Sequence, residues 1–194
     1  MDNSMRYQRP VVGYHGCSRS LRDKVLLEEG SLNASVNDYD WLGHGIYFWE
    51  HGPERAVDWA REQSGRGKIS DPVALGAHIH LGNCFDLLDM RYTRVLAESY
   101  GNYVRAMELS GQRIPTNQSL HAEDSDRLLR RLDCAMINWT LERMEEAGSG
   151  KWDAVRGVFL EGGPAFPGSS ILAKSHIQVA VRNPACIVGY FRPV

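Results

Sequence analysis

Leu42-Gly43-His44-Gly45-Ile46-Tyr47-Phe48-Trp49 is the stretch around which this chain is best read. Its two glycines mark a turn, and the apolar, aromatic run after them predicts a strand over Gly45–Trp49. Ser31 to Asp40, just before it, is rich in Asn, Asp and Ser and predicts a loop with brief extended pieces. Pro53, just after it, suits the first turn of a helix carrying Ala56, Val57, Trp59 and Ala60 and fading at Gly65 and Gly67. Working outward, Tyr14-His15-Gly16-Cys17-Ser18 ends an apolar run that predicts a strand over Val11–His15. A helix is expected from Leu21, capped by Ser20 and ended by Gly30, with Val25, Leu26 and Leu27 facing the core. Ser175-His176-Ile177-Gln178-Val179 sets a polar amide in an alternating strand near the C-terminus.

The rest of the chain fills in around these segments. Leu75, Ala77, Ile79 and Leu81 alternate, predicting a strand over Ala74–Leu81, with a shorter one at Cys84–Leu88. Met90–Leu109 has helical periodicity, and Gly111–Ser119 breaks it. A second helical region is expected over Asp124–Ala147, stopped by Gly148-Ser149-Gly150. Asp153–Glu161 reads as a strand, followed by a Gly/Pro loop of the kind that borders sites. His176–Val181 and Cys186–Phe191 read as the last strands, with a turn at Asn183-Pro184. Strands and helices are segregated rather than alternating, which predicts an α+β fold with a helical insertion at about residues 89–151. No internal repeat or linker divides the chain, so residues 1–194 are expected to form one domain. The glycines form neither a dinucleotide fingerprint nor a phosphate-binding P-loop.

Composition narrows the function classes. The chain's 194 residues are enough for one domain with a sizeable core. A formal net charge of -2 removes any bulk electrostatic argument for nucleic acid. Arg127, Arg130 and Arg131 cluster, but Glu123, Asp124 and Asp126 precede them, the pattern of a solvated helical face. No stretch reaches the roughly 20 apolar residues of a membrane span, and Met1–Pro10 lacks the apolar run of a signal peptide. A cytoplasmic protein without a membrane partner is therefore expected. The four cysteines are widely spaced, so neither a zinc site nor a disulfide framework is expected. Cys84, Cys134 and Cys186 lie in apolar runs and read as reduced core residues, while Cys17 is placed to border a site.

On these residues the chain resembles the ADP-ribosyltransferase superfamily, in its diphtheria-toxin and poly(ADP-ribose)-polymerase branch. That branch uses His-Tyr-Glu on three core strands. Tyr14-His15-Gly16 is similar to its first motif. Gly43-x-Gly45-Ile46-Tyr47-Phe48, with Arg55-Ala56 on the following helix, resembles its second and is the most specific match. Gln178 stands at the third position, where the family usually has glutamate. Asn37 to Gly45, Val158 to Gly162 and His176-Ile177-Gln178 are similar to small bacterial members. The middle, about residues 89–151, carries no family motif.

The resemblance implies a split, twisted β-sheet core with flanking helices and with NAD, as substrate, in the cleft between its halves. It implies no metal. It assigns His15, Tyr47 and Gln178 to the catalytic set. His15 would hydrogen-bond the adenosine-side ribose, the Gly16 backbone would meet the carboxamide, and Tyr47 would stack on the nicotinamide. A residue without Cβ, such as Gly16, permits close approach. Trp41 and Tyr39 would wall the cleft, and Ser35 and Asn37 would contact ribose or phosphate. His44 lies in the same loop, and Arg156 reads either as a contact for a phosphate or as a surface residue.

Gln178 is the departure with chemical consequences. Glutamine keeps hydrogen bonding but loses charge and cannot serve as a general base near neutral pH. Single transfer without chain elongation, recruitment of another acid (Glu161, Glu50 or Asp40), or binding without reaction would each follow. His176, two residues before Gln178, shares its strand face and is a candidate base for the acceptor. The leading expectation is a mono-ADP-ribosyltransferase acting on a protein or on RNA or DNA, a bacterial toxin or phage-defence effector with a possible antitoxin partner. The alternative is an NAD or ADP-ribose sensor that kept the cleft and lost catalysis. A phosphotransferase acting on an RNA 2′-phosphate ranks below both, because the three motifs contain no arginine.

Overall fold

Along Ile46–Glu50 the side chains divide by alternation, with Tyr47 and Trp49 on one face and Ile46 and Phe48 on the other. The computed structural model of the chain describes residues 9–119 and 128–194. It has an α+β architecture built on a seven-stranded sheet in the order β4-β7-β8-β2-β1-β3-β9. The strands are β1 (Pro10–Ser18), β2 (Ile46–Glu50), β3 (Pro72–His80), β4 (Cys84–Asp86), β7 (Ala154–Phe159), β8 (His176–Val181) and β9 (Ile187–Phe191). β4 and β7 are parallel, and the other neighbours are antiparallel. Among the described residues four α-helices accompany the sheet: α1 (Arg19–Leu26), α2 (Pro53–Gly65), α3 (Met90–Leu109) and α4 (Arg131–Glu146). A two-stranded hairpin of β5 (Asn117–Gln118) and β6 (Leu129–Arg130) lies between α3 and α4. Among the described residues no helix is long and apolar enough to cross a membrane.

The sheet is thinnest at its centre. β1 pairs with β3 from Pro10 to Ser18, and β2 pairs with β8 along its whole length. β1 and β2 meet only at Gly13–Glu50 and Tyr14–Trp49. Beyond that point the strands part, so the sheet is continuous but opens along one seam.

Cross-strand register puts Tyr47, Trp49, Gln178, Ala180, Val155, Gly157, Phe159 and His176 on one face, here called the front. On the back, Val11, Ile46, Phe48, Leu75, Ile79, Val179 and Val181 pack with Val25 of α1. Each such side chain, fully buried, contributes about 1.5–3 kcal/mol. On the front, α2 covers the β1–β3 side through Ala56 and Trp59. α4 covers the β7–β8 side, with Ile137 and Leu141 on Val155, Phe159 and Ala180. The two described helices of the expected insertion, α3 and α4, are therefore packed onto the sheet. Between α2 and α4 the centre of the front face is left uncovered.

Several local expectations are corrected. Ser18, not Ser20, caps α1, accepting from the Leu21 N–H at 3.2 Å. That helix ends at Leu26, Glu28 turns with φ 59°, and Leu27 is 67% exposed instead of facing the core. Within the described residues α4 begins at Arg131. The expected helix start at Asp124, the residues Glu123, Asp126 and Arg127, and the polar segment before Arg9 lie outside the described residues.

Candidate functional site

The uncovered centre forms a cleft of about 650 Å³. It is lined by His15 of β1, Tyr47 and Trp49 of β2 and Gln178 of β8, by Ser35, Asn37, Tyr39 and Trp41 of the preceding loop, and by Arg55 and Trp59 of α2. Three segments remote in sequence are thus brought to one place by the seam and by one register. Gly16 is not in the lining. A Cβ there would strike the Ala56 carbonyl and meet Trp59, so its missing side chain lets α2 pack on β1. His44 is exposed and outside the lining.

His15 holds the seam. Its Nδ1 donates to the Tyr47 carbonyl at 2.8 Å, just past the last backbone pair between β1 and β2. Burial pulls its pKa below 6.5, against the opposing pull of that carbonyl. The ring is therefore neutral near pH 7, and a carbonyl partner at Nδ1 leaves Nε2 as an acceptor.

Tyr47 is fixed by its own loop. Its hydroxyl donates to the Gly43 carbonyl at 2.6 Å and accepts from the Leu42 N–H at 2.8 Å. Gly43 makes this possible, because it sits at φ +73° and a Cβ would meet Asn138 Oδ1 at 2.6 Å. Burial raises the phenol's pKa well above its usual value. The hydroxyl is thus committed to structure, leaving the ring as the part that faces the cleft.

The loop before β2 is a closed network. Asp40, buried, accepts from Ser35 Oγ at 2.9 Å and the Asn37 N–H at 3.0 Å, and Asn37 Nδ2 donates to Ser35 Oγ at 2.8 Å. Burial raises the pKa of Asp40, against the pull of these hydrogen bonds. Trp41 donates its indole N–H to the Leu128 carbonyl at 2.9 Å, and the Arg130 guanidinium lies 4.2 Å from its ring centre.

Gln178 is 8% exposed, and its Nε2 lies 3.0 Å from His176 Nε2. The Nδ1 of His176 lies 2.7 Å from the Lys174 carbonyl. Both ring nitrogens are engaged, so His176 is not free to be an acceptor base. The substitute acids are engaged as well. Glu161 takes both oxygens to Arg55 Nη2 at 2.9 Å. Glu50 and Asp86 bind Arg156 on the back face. Arg156 is 5% exposed, so it is neither a surface residue nor a phosphate ligand in the cleft. Cys17 packs in the back core with its thiol pushed up to about 11 by burial, which removes it as a nucleophile bordering the site.

The cleft walls hold unmet donors. Among the described residues Trp49 Nε1 and Arg55 Nε and Nη1 are buried with no hydrogen-bond partner. Such groups cost about 1–3 kcal/mol each until a partner arrives. Arg66 and Lys68 add exposed cations to the same lining. Arg55 entered the sequence analysis only as part of the second motif, with no role at the cleft, and Trp49, Arg66 and Lys68 were given none. Trp49 had a usable signal, because it follows Tyr47 by two on a strand and so shares its face. A second hollow of about 440 Å³, between α3, α4 and β7, is lined mainly by apolar groups such as Leu96, Met136 and Phe159 and holds none of the expected catalytic side chains. Comparisons with known proteins give no match to a family model, a curated protein or a solved structure.

Proposed function

We propose that the chain is a mono-ADP-ribosyltransferase that cleaves NAD and transfers ADP-ribose to a macromolecular acceptor, protein or nucleic acid. The observation that carries this reading is the meeting of His15, Tyr47 and Gln178 in one cleft at the sheet's central seam. The opening between β1 and β2 is our basis for assigning the sheet to the split ADP-ribosyltransferase type. The unmet donors of Trp49 and Arg55, with Arg66 and Lys68 at the rim, suit a ligand rich in anionic oxygen, such as a dinucleotide.

In this reaction the bond between the nicotinamide nitrogen and ribose C1′ breaks, and its electron pair leaves on nicotinamide. The ribose passes through oxocarbenium character, and an acceptor attacks C1′ and gives up a proton. The chain's contribution is placement and electrostatics. His15 offers Nε2 to a ribose hydroxyl, the Tyr47 ring offers a stacking face, and Gln178 offers a neutral amide oxygen. With no added carboxylate at that position, single transfer is the expected outcome. A bacterial toxin or defence effector, held in check by an antitoxin, is the role we assign to such an activity.

A catalytically weak NAD or ADP-ribose sensor is the second reading. It is favoured by the engagement of Glu161, Glu50 and Asp40 with other groups. Incubating the protein with labelled NAD and cell lysate separates the two. Label in a protein or RNA fraction, reduced by Tyr47→Ala, supports transfer. Loss of the ring's stacking is expected to weaken NAD binding ~10-fold. Binding by calorimetry without label supports the sensor, and neither binding nor label overturns both readings.

A further inference from the structure

We propose that His176 is a positioning residue that locks the Gln178 amide with its carbonyl oxygen facing the cleft. This rests on the reading of the cleft as an NAD site. The argument is one of hydrogen-bond bookkeeping along a short relay. The Lys174 carbonyl can only accept, so the His176 Nδ1 at 2.7 Å carries the proton. In the neutral ring Nε2 then holds a lone pair. The Gln178 atom 3.0 Å from it must be the NH2 group, because an amide oxygen there would set two acceptors against each other. Oε1 is thereby turned the other way, and among the described residues it has no partner inside the chain.

The imidazole is itself held still. Trp41 lies parallel to it within 20° at 6.3 Å, and Trp49 and Phe159 pack at 6.3 and 5.9 Å. Glutamine at the family's glutamate position creates the need for this device. A carboxylate has two equivalent oxygens and presents an acceptor either way round, whereas an amide presents a donor half the time unless something orients it. Protonation reverses the lock. The imidazolium Nε2 would donate, the amide would rotate, and NH2 would face the ligand in place of oxygen. The charged groups facing the ring are Glu161, 3.7 Å from Nδ1, which favours the imidazolium, and Arg55 and Arg130, which oppose it. Burial outweighs the carboxylate, and the pKa is lowered from 6.5.

The first test needs no ligand. Nitrogen-15 NMR of the full-length protein should show His176 in the Nδ1–H tautomer. The Gln178 side-chain amide, identified by its loss in Gln178→Ala, should move with the His176 midpoint and stop doing so in His176→Phe. An Nε2–H tautomer, or an amide indifferent to that titration, overturns the proposal. The second test is a double-mutant cycle on NAD turnover or, for a sensor, on NAD affinity. His176→Phe should cost ~10-fold or more with Gln178 present, the loss expected when a ligand's hydrogen-bond partner is misaligned. With Gln178→Glu the same change should cost less than ~2-fold, and Gln178→Glu alone should raise the His176 midpoint. Equal costs in both backgrounds overturn the proposal. A protein that shows the tautomer and the coupled titration yet neither binds nor uses NAD sinks the proposed function and leaves the lock standing.

Discussion

Two arginine–glutamate pairs lie on opposite faces of the same sheet, and they differ in what they leave undone. On the back, every guanidinium nitrogen of Arg156 has a partner. Its Nε and Nη2 reach Glu50 at 2.6 and 2.9 Å, and Nη1 reaches Asp86 at 3.1 Å. On the front, Arg55 gives Nη2 to Glu161 and leaves Nε and Nη1 buried and unpartnered at the cleft. Their side-chain exposures are close, 6% and 12%, so burial does not separate them. Completeness does. A closed set of hydrogen bonds holds β2, β4 and β7 together, whereas an open one waits for a partner from outside.

The largest expected effect tests the closed member. Arg156→Met keeps volume but strands Glu50 and Asp86 without their cation. Breaking a buried pair in this way costs about 3–5 kcal/mol, or roughly 10 °C in Tm for a chain of this size. Urea unfolding should show that loss, while calorimetry on the folded fraction finds NAD affinity unchanged. Arg55→Met should do the reverse. Glu161 keeps some contact with solvent, so stability falls by less, about 1–2 kcal/mol, and NAD affinity falls ~10-fold or more. If Arg55→Met proves the more destabilising and leaves binding intact, the front pair is structural too and the comparison collapses.

Acidification gives the next effect. His15 and His176 both have pKa values lowered by burial, so the folded chain excludes protons that the unfolded chain accepts. Stability is then complete above pH 6.5 and is lost as pH falls through 6.5 toward the lower folded midpoints. Each imidazole contributes a slope of at most about 1.4 kcal/mol per pH unit. Asp40 acts in the opposite sense, because its raised pKa makes the fold bind a proton before the unfolded chain does as pH falls toward its ordinary 3.8. Denaturation at pH 7.5 and 5.5 should show the loss. Ring-proton NMR midpoints at or above 6.5 for both residues would remove its cause.

What was legible in the sequence follows the same division. Tyr47 and Trp49 on a β-type run and Gln178 in an alternating strand declare their elements locally and are brought together by the β2–β8 register, while His15, inside β1, reaches Tyr47 by its side chain across the seam. The back-face set was invisible. Arg156 is 106 positions from Glu50 and 70 from Asp86, and nothing local marks any of them as a partner. Arg156 therefore read as a surface or phosphate residue. Gly16 falls just past the expected strand end at His15, whereas β1 runs on to Ser18, and its packing role was not legible because the atom its Cβ would strike belongs to a helix 40 positions away. The β5–β6 hairpin, two residues per strand, is too short for any alternation to show.

The smallest expected effect concerns the rim, and it sharpens what the open side of the comparison means. Arg66 and Lys68 line the cleft but are exposed, and among the described residues neither has an ion-pair partner. Their attraction for an anionic ligand acts through water and is screened over about 10 Å at 0.1 M salt. Arg55 acts from within the wall, where salt reaches little. Raising salt from 50 to 300 mM should therefore weaken NAD binding only ~2–5-fold. The combined change Arg66→Ala and Lys68→Ala should lower affinity at low salt and flatten the salt dependence. Arg55→Met should lower affinity at every salt concentration and keep the slope. If instead the slope survives the double change and disappears with Arg55→Met, the ligand's charge sits against the wall and the rim cations serve solubility alone. The salt titration thus places the anionic part of the ligand along the depth of the cleft.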